Sequence, residues 1–445
     1  MSELTWKLDG VPAYPDGELF DELFLLGGGL NGGFDIAPED ESHMQLVNGT
    51  TEAAFRAYCE TLLQSGFRAG FARDAEQGLF REFLGETRNL YVYFMRRTGQ
   101  ARIIVDRESL PVADFSAGEP AEDVRDDTEL MQFGLFYGDP IRERVATRGM
   151  LYAVRLHDNS IFFVDGGECC QSTTPALTEL MARLREMTGT GEGEQIRIAC
   201  WFCTHGHHDH MDLFINLMRK YGDVLRVERV LFNFPHPAYA TGSADRSLAY
   251  LDSAMAAVRQ YCPDARFMQP HTGQLIRMNS LTAEVILTHE DLLYENEAHD
   301  RLAGMNTCST ILRLTFDGSS LLILGDADEN NGSVLRKYYI PDEISCTYLQ
   351  AAHHLANRNE NIYSYVRAGS VLIPQGRLRI HRIRRDHYAL LCRFYDRDRI
   401  YVEGDYTVVF RVKDGAEEVS YYPLQGRPFD PERDGENLWR QRAAL

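Results

Sequence analysis

Hydrophobic and polar residues alternate in two different patterns along this chain, and the first extends over residues 1–110. After Thr50 or Thr51, either of which can cap a helix, apolar residues recur at helical spacing as far as Gly66. One helix followed by short strands predicts a small α+β module, and its role stays open between shaping a substrate site and assembly. The predicted strands, each bounded by turn residues, are 67–73, 79–84, 90–95 and 101–105.

Residues 111–135 differ in composition from the segments that precede and follow them. The segment 114–129 is acidic and contains few large apolar residues, a composition typical of a linker. We therefore predict the domain boundary within 111–135.

The second pattern, over residues 136–445, alternates strands with helices. A hairpin is predicted at 151–164, an amphipathic helix at 174–187, and a continuous apolar run at 196–202 is typical of a strand buried inside a sheet. This alternation predicts an α/β or layered αββα domain. Further strands are predicted at 226–232, 283–287, 310–316, 320–324 and 371–373.

Composition narrows the possible functions. The chain has 445 residues, 44% of them hydrophobic, which is typical of a folded globular protein. Its net charge of −20 disfavours binding to long nucleic acids and to anionic membranes. No apolar run reaches the roughly 20 residues of a membrane span, and the first residues lack a signal-peptide pattern. With nine scattered cysteines, interpreted as reduced and buried, we expect a cytoplasmic protein.

The densest cluster of potential metal-binding side chains follows the apolar run at 196–202. Within six residues lie four histidines and an aspartate, at a point where a strand is predicted to end. A hydrophobic core cannot desolvate so many polar groups without compensation, whereas imidazole and carboxylate are ligands that suit zinc and other divalent transition metals. The candidate metal ligands here are His205, His207, Asp209 and His210.

These four residues fill the pattern H-x-H-x-D-H, and the chain around them resembles the metallo-β-lactamase superfamily of metal-dependent hydrolases over about residues 148–412. The resemblance implies a four-layer αββα sandwich that binds two divalent metal ions. It also implies that Asp165, at the end of an early strand, orients a metal-bound histidine from behind. Asp326, after the apolar run 321–324, resembles the aspartate that bridges the two metals.

A second histidine pair, His353 and His354, resembles one branch of that superfamily, the ComEC-type DNA-uptake nuclease domains and phosphorylcholine esterases. The branch implies that one histidine ligates the second metal while the other faces the substrate, and we assign His354 to the metal and His353 to the substrate. This chain has His207 where the DNA-uptake members usually carry Asp. The superfamily's separate third histidine has no clear match, and either Asn306 or His289 could take its place.

The resemblance implies hydrolysis by a hydroxide that bridges two metals about 3.5–4 Å apart. We expect Zn²⁺, with Mn²⁺ as the alternative, and we assign catalytic roles to Asp209 and His353. The arginine-rich stretch 377–385 is either a solvated loop or an anion clamp. The clamp would use Arg377, Arg379 and Arg382.

The favoured activity is hydrolysis of a small anionic ester, with a phosphodiester first. The alternatives are a nuclease for short nucleic acids, a lactonase or thioesterase, and a metal-binding scaffold or sensor without activity. No membrane partner is expected, long nucleic acid is disfavoured by the charge, and a homo-oligomer is compatible with the sequence.

Overall fold

The structure is a computed structural model that describes residues 6–20, 22–27, 41–107, 111, 122–134, 149–168, 174–239, 244–294, 304–376, 380, 383–402 and 406–423. Within these residues the chain forms three β-sheets and the helices that cover them. None of the helices in this part of the chain combines the length and the apolar character that a membrane crossing requires.

The predicted helix of the N-terminal module is confirmed. Helix α1, Glu52–Gln64, begins after Thr51, whose side chain accepts a hydrogen bond from the backbone N–H of Ala54. Gly66 follows its end with φ +98°, a conformation that favours glycine. The face predicted to be apolar is buried, and it consists of Phe55, Tyr58, Cys59 and Leu62.

The module contains more strands than we predicted. All four predicted strands are present, but three others precede the helix, and β3 pairs with β7 inside the sheet. Polar residues such as His43 and Gln45 interrupt the apolar pattern of β3 and conceal it in the sequence. The seven strands are β1 Glu18–Leu19, β2 Phe24–Leu26, β3 Ser42–Asn48, β4 Arg68–Asp74, β5 Gly78–Leu84, β6 Asn89–Met95 and β7 Gln100–Asp106.

The predicted linker 111–135 contains a strand that we did not predict. Strand β8, Thr128–Gln132, is fully buried and pairs inside the second sheet. Its acidic residue Glu129 resembled part of a solvated linker, but it accepts a hydrogen bond from Arg411 at 2.8 Å. An acidic residue can therefore belong to a buried strand here because an arginine compensates its charge.

The second sheet has nine strands in the order β14-β13-β11-β10-β9-β8-β22-β23, and β12 also pairs with β11. Parallel pairing of β10 with β11 brings the ends of these two strands to the same edge. Its strands after β8 are β9 Leu151–Arg155, β10 Ile161–Asp165, β11 Ile196–Cys203, β12 Leu225–Val227, β13 Arg229–Phe232, β14 Arg266–Met268, β22 Tyr406–Lys413 and β23 Ala416–Pro423.

The third sheet has seven strands in sequence order, from β15 to β21. Its strands β18 and β19 are parallel, so both end at the same edge. The strands are β15 Leu275–Met278, β16 Leu281–Leu287, β17 Ile311–Phe316, β18 Ser319–Ile323, β19 Cys346–Gln350, β20 Ala368–Ile373 and β21 Ile400–Val402.

Three apolar cores separate four layers. One core lies between the second and third sheets and includes Phe202 and Tyr348. Another joins the outer face of the second sheet to helices α2 Thr174–Thr188, α3 Asp212–Tyr221 and α4 Ala244–Tyr261. A further core joins the third sheet to helices α5 Glu329–Tyr338, α6 Glu360–Tyr363 and α7 Arg385–Leu391. The predicted α/β fold, a four-layer αββα sandwich preceded by an α+β module, is confirmed.

The module packs against the third sheet through both apolar and charged contacts. Gly273, with φ +88°, lies so close to the Phe80 ring that a Cβ atom there would overlap it. Arg73 of the module donates hydrogen bonds to the Gly273 carbonyl at 2.9 Å and to the Glu284 carboxylate at 2.6 Å. Module and sandwich therefore form a close-packed contact.

Candidate metal centre

The candidate metal centre lies at the edge where strands of both sheets end. Asp165 is the last residue of β10, and the segment 205–210 follows β11 in the second sheet. In the third sheet, Asp326 follows β18 and the pair 353–354 follows β19. The carboxyl ends of parallel strands are common positions for functional side chains, and the sandwich brings these four segments together.

Six of the predicted ligands form two adjacent groups, and within each group the ligand atoms lie within 4.8 Å of one another. Asp326 lies between the groups, because its Oδ2 is 3.6 Å from His205 Nε2 while its Oδ1 is 3.1 Å from His210 Nε2 and 3.4 Å from His354 Nε2. This is the arrangement that a bridging carboxylate needs. One group is His205, His207 and Asp326, and the other is Asp209, His210 and His354.

The histidines turn acceptor atoms toward the centre of this cluster. His210 Nδ1 lies 2.6 Å from the Asp165 carboxylate, and His354 Nδ1 lies 3.1 Å from the Pro374 carbonyl, so each Nδ1 carries the proton. When both rings are neutral, as metal binding requires, the Nε2 lone pairs of these two histidines face each other at 3.1 Å. His205 Nε2 and His207 Nδ1 are also 3.1 Å apart. Lone pairs and carboxylates so close together fit divalent cations.

Electrostatics favours neutral imidazoles at three of the four histidines. Burial lowers the pKa of His205, His207 and His354, which keeps their nitrogens free to ligate a metal. Burial also acts on His210, but the carboxylates of Asp326 and Asp165 outweigh it and raise the pKa of His210 well above its usual value. In the metal-free protein, one imidazolium at His210 therefore partly compensates the buried carboxylates.

Asp165 supports the cluster from behind, in the position that the resemblance implied. Its Oδ1 accepts a hydrogen bond from the Thr204 backbone N–H at 2.7 Å, and its Oδ2 accepts one from the Thr204 hydroxyl at 2.8 Å. Asp165 itself has φ +57°, which is unfavourable for a residue other than glycine. The surrounding contacts therefore hold this carboxylate in a strained position against His210.

Substituting Asp165 tests this support. In the isosteric Asp165→Asn variant, the amide –NH₂ must replace either the oxygen that accepts from the Thr204 backbone N–H or the oxygen that accepts from the Thr204 hydroxyl and His210. One side of this support is therefore lost, and we expect zinc affinity to fall about 10- to 100-fold. Competition with a chromophoric chelator measures the change, and the exposed Asp342→Asn variant serves as the control. Unchanged zinc affinity in Asp165→Asn would contradict the supporting role.

The paired histidines lie in a left-handed turn. His353, His354 and Leu355 have φ of +51°, +50° and +58°. Three consecutive residues in this conformation are unfavourable by about 1–3 kcal/mol each, and such strain concentrates at functional sites. A hydrogen bond from the His353 N–H to the Gly325 carbonyl at 3.0 Å ties the turn to the loop that carries Asp326.

His353 belongs to neither of the two ligand groups, and Asn306 lies beside His353. Asn306 Nδ2 is 3.2 Å from His353 Nε2, and the same His353 nitrogen is 3.6 Å from Asp326 Oδ2. The side chain of His353 is 26% exposed, whereas that of His354 is only 2% exposed. The geometry is compatible with a substrate-facing His353 and a metal-binding His354, and both roles stay predictions.

His289 is not brought into the ligand set. It begins a buried turn, His289–Asp291, and its charge interactions are with Glu290, His271 and His236. The expectation that a strand-end histidine would reach the metal failed because this turn belongs to the contact with the N-terminal module. The predicted clamp residues Arg377, Arg379 and Arg382 lie outside the described residues.

A cavity of about 220 Å³ opens beside the cluster. The sequence analysis did not select Gln375 or Arg384, and both line it. The position of Arg384 in the arginine-rich stretch was the available signal, but the sequence does not show which of the five arginines turns inward. The lining residues are Asp209, His353, His354, Ala356, Asn357, Gln375 and Arg384.

Comparisons with known proteins give low similarities. No family model matches the chain, and no curated protein matches it. Among solved structures, a metal-dependent hydrolase of the β-lactamase superfamily is 9% identical with a TM-score of 0.33, covering 66% of this chain and 100% of that one. Human tRNase Z, short form, is 12% identical with a TM-score of 0.29, covering 66% and 99%. The di-iron β-hydroxylase CmlA of Streptomyces venezuelae is 12% identical with a TM-score of 0.28, covering 80% and 69%. Scores this low do not assign the chain to a family.

Proposed function

We propose that this chain is a metal-dependent hydrolase of the metallo-β-lactamase superfamily that acts on a small anionic ester, with a phosphodiester as the first candidate. One observation carries the proposal: the two groups of buried acceptor atoms that share Asp326. Buried carboxylates and imidazole lone pairs repel each other unless a cation lies between them. Such an arrangement is costly for a purely structural site.

Zn²⁺ is the metal that this set of ligands favours, since five of the six are nitrogen donors or terminal carboxylates of the kind that zinc prefers, with Mn²⁺ as the alternative. His205, His207 and Asp326 would hold one ion, while Asp209, His210, His354 and Asp326 would hold the other. When bound, a pair of divalent ions supplies Lewis acidity and lowers the pKa of a water molecule toward about 7.

The side chains around the cavity would bind the ester and supply the proton that the leaving oxygen takes up. His353 lies on the open side of the cluster, so it can donate a proton to the leaving oxygen as a general acid. The buried Asp209 carboxylate is 3.6 Å from His354 Nε2, and it fixes the second group at the bottom of the same cavity. Asn306 beside His353 can hold that imidazole in one orientation.

The size of the cavity and the charge of the chain both favour a small substrate. About 220 Å³ is less than the roughly 300–1,000 Å³ of pockets for drug-sized ligands. A net charge of −20 opposes a long polyanion, whereas two bound cations would attract a single phosphate group. A small phosphodiester satisfies both conditions better than a nucleic acid duplex.

Metal analysis followed by turnover tests the proposal. We expect the purified chain to bind two zinc ions and to hydrolyse bis-p-nitrophenyl phosphate faster than p-nitrophenyl acetate or a γ-lactone. Manganese-loaded protein assayed in parallel identifies the preferred metal. If the protein with two bound metals leaves all three substrates intact, the hydrolase proposal is wrong. Faster turnover of the acetate or the lactone would instead identify an esterase or a lactonase.

A further inference from the structure

One arginine faces the metal-ligand cluster across the cavity. Arg384 precedes helix α7 and lines the cavity together with Asp209, His353 and His354. Its backbone is held in place by two hydrogen bonds, from its own N–H to the Ile380 carbonyl at 3.1 Å and from the Tyr388 N–H to its carbonyl at 2.9 Å. Arg384 therefore lines the cavity from a fixed backbone.

The charge of Arg384 has no protein partner among the described residues. Its Nε is buried without a hydrogen-bond acceptor, and burial lowers the pKa of its guanidinium with no carboxylate acting in the opposite direction. Two other buried or half-buried arginines are paired with carboxylates, Arg155 with Asp127 at 2.7 Å and Arg73 with Glu284 at 2.6 Å.

A partly buried cation without a counter-charge is unfavourable, and proteins compensate such groups with an anion. The carboxylates that the cavity contains, Asp209 and the adjoining Asp326, are directed toward the histidines. The remaining source of negative charge is a molecule that enters the cavity. A guanidinium offers two parallel N–H groups, which match two oxygens of a phosphate or carboxylate group.

We propose that Arg384 binds the non-bridging oxygens of a phosphate ester in this cavity and selects anionic over neutral esters. This inference rests on the proposed function and deepens it, because it names the residue that recognises the anion. Arg384 would hold the phosphate group against His353 and the two ligand groups.

An anionic and a neutral substrate, together with a control variant at the next residue, test the role of Arg384. In Arg384→Met we expect KM for bis-p-nitrophenyl phosphate to rise about 10- to 100-fold, while kcat/KM for the neutral p-nitrophenyl acetate changes less than about twofold. Arg384→Lys keeps the charge but loses the paired donors, so its KM should be intermediate. Arg385→Met is the matched control, since Arg385 is the next residue, is exposed and does not line the cavity.

A binding measurement separates this inference from the proposed function. Calorimetry of the metal-loaded protein with inorganic phosphate needs no turnover, and we expect about 10-fold or weaker binding in Arg384→Met with no change in Arg385→Met. This result supports anion binding even if every ester stays intact. Equal phosphate affinity in both variants, or an equal loss on anionic and neutral esters, overturns the role of Arg384. If Arg384→Met fails to fold, Arg384→Gln provides the same comparison.

Discussion

Replacing Asp326 with asparagine is expected to abolish binding of the metal pair and to lower kcat/KM by at least about 10³-fold. Each oxygen of the Asp326 carboxylate faces imidazole nitrogens of one ligand group, with Oδ2 3.6 Å from His205 Nε2 and Oδ1 3.1 Å from His210 Nε2. An amide is neutral, and its –NH₂ would place a donor where a cation is needed. The substituted side chain could therefore serve one group at most.

Metal content and turnover, measured on the same samples, check this expectation. Elemental analysis should find at most one metal ion per chain in Asp326→Asn while circular dichroism stays unchanged. Asp328→Asn is the matched control, because Asp328 lies two residues further on and caps helix α5 through hydrogen bonds from Asn330 and Asn331. Asparagine caps helices about as well as aspartate, so this control should keep its metals. Two tightly bound metals in Asp326→Asn would contradict a bridging role.

The sequence predicted the positions of the ligands because their signal is local. Asp326 and His354 both follow a short apolar run, and the 205–210 segment follows a longer one. In a sandwich of parallel strand pairs such positions meet at one edge. His289 follows an apolar run too, yet it lies in the contact with the N-terminal module. A strand-end position therefore predicts the edge but not the direction of the side chain.

Contacts between distant segments could not be predicted in this way. We assigned strand β8 to the linker because its residue Glu129 is acidic. The charge of Glu129 is compensated by Arg155 and by Arg411, and Arg411 is 282 residues away in the sequence. His271 is paired with a carboxylate of the module 165 residues away. Such pairs depend on how the module packs on the sandwich, and no local pattern encodes that.

Removing the imidazole of His271 is expected to destabilise the protein more than any substitution at an exposed histidine. His271 Nδ1 is 2.8 Å from the Glu290 carboxylate, and its Nε2 is 3.1 Å from the Asp106 carboxylate at the end of β7. The Tyr91 ring stacks on the imidazole at 4.9 Å. In His271→Gln both buried carboxylates lose their cation, so we expect the free energy of unfolding to fall by about 3–5 kcal/mol at pH 7.

The pH dependence identifies the cause of this loss. Burial alone would lower the pKa of His271, but Glu290 and Asp106 outweigh burial and raise it from 6.5 to about 10 in the folded protein. The charge therefore stabilises the fold fully below pH 6.5, and this contribution disappears as the pH rises toward 10. Urea unfolding of the wild type should show falling stability between pH 7 and 10, and His271→Gln should lack that component.

A control and an independent measurement distinguish this network from the metal centre. His157 is only 17% exposed, and its carboxylate neighbours are Asp317 at 3.0 Å and the exposed Asp123 at 4.0 Å, so His157→Gln should change stability by less than about 1 kcal/mol. None of the six candidate ligands in the two groups contacts His271 in the described structure, so folded His271→Gln should keep both metals. A variant with unchanged stability across this pH range would show that His271 is neutral in the folded protein. If the variant loses metal at a temperature where it is folded, the contact between the module and the sandwich also affects metal binding at the ligand cluster.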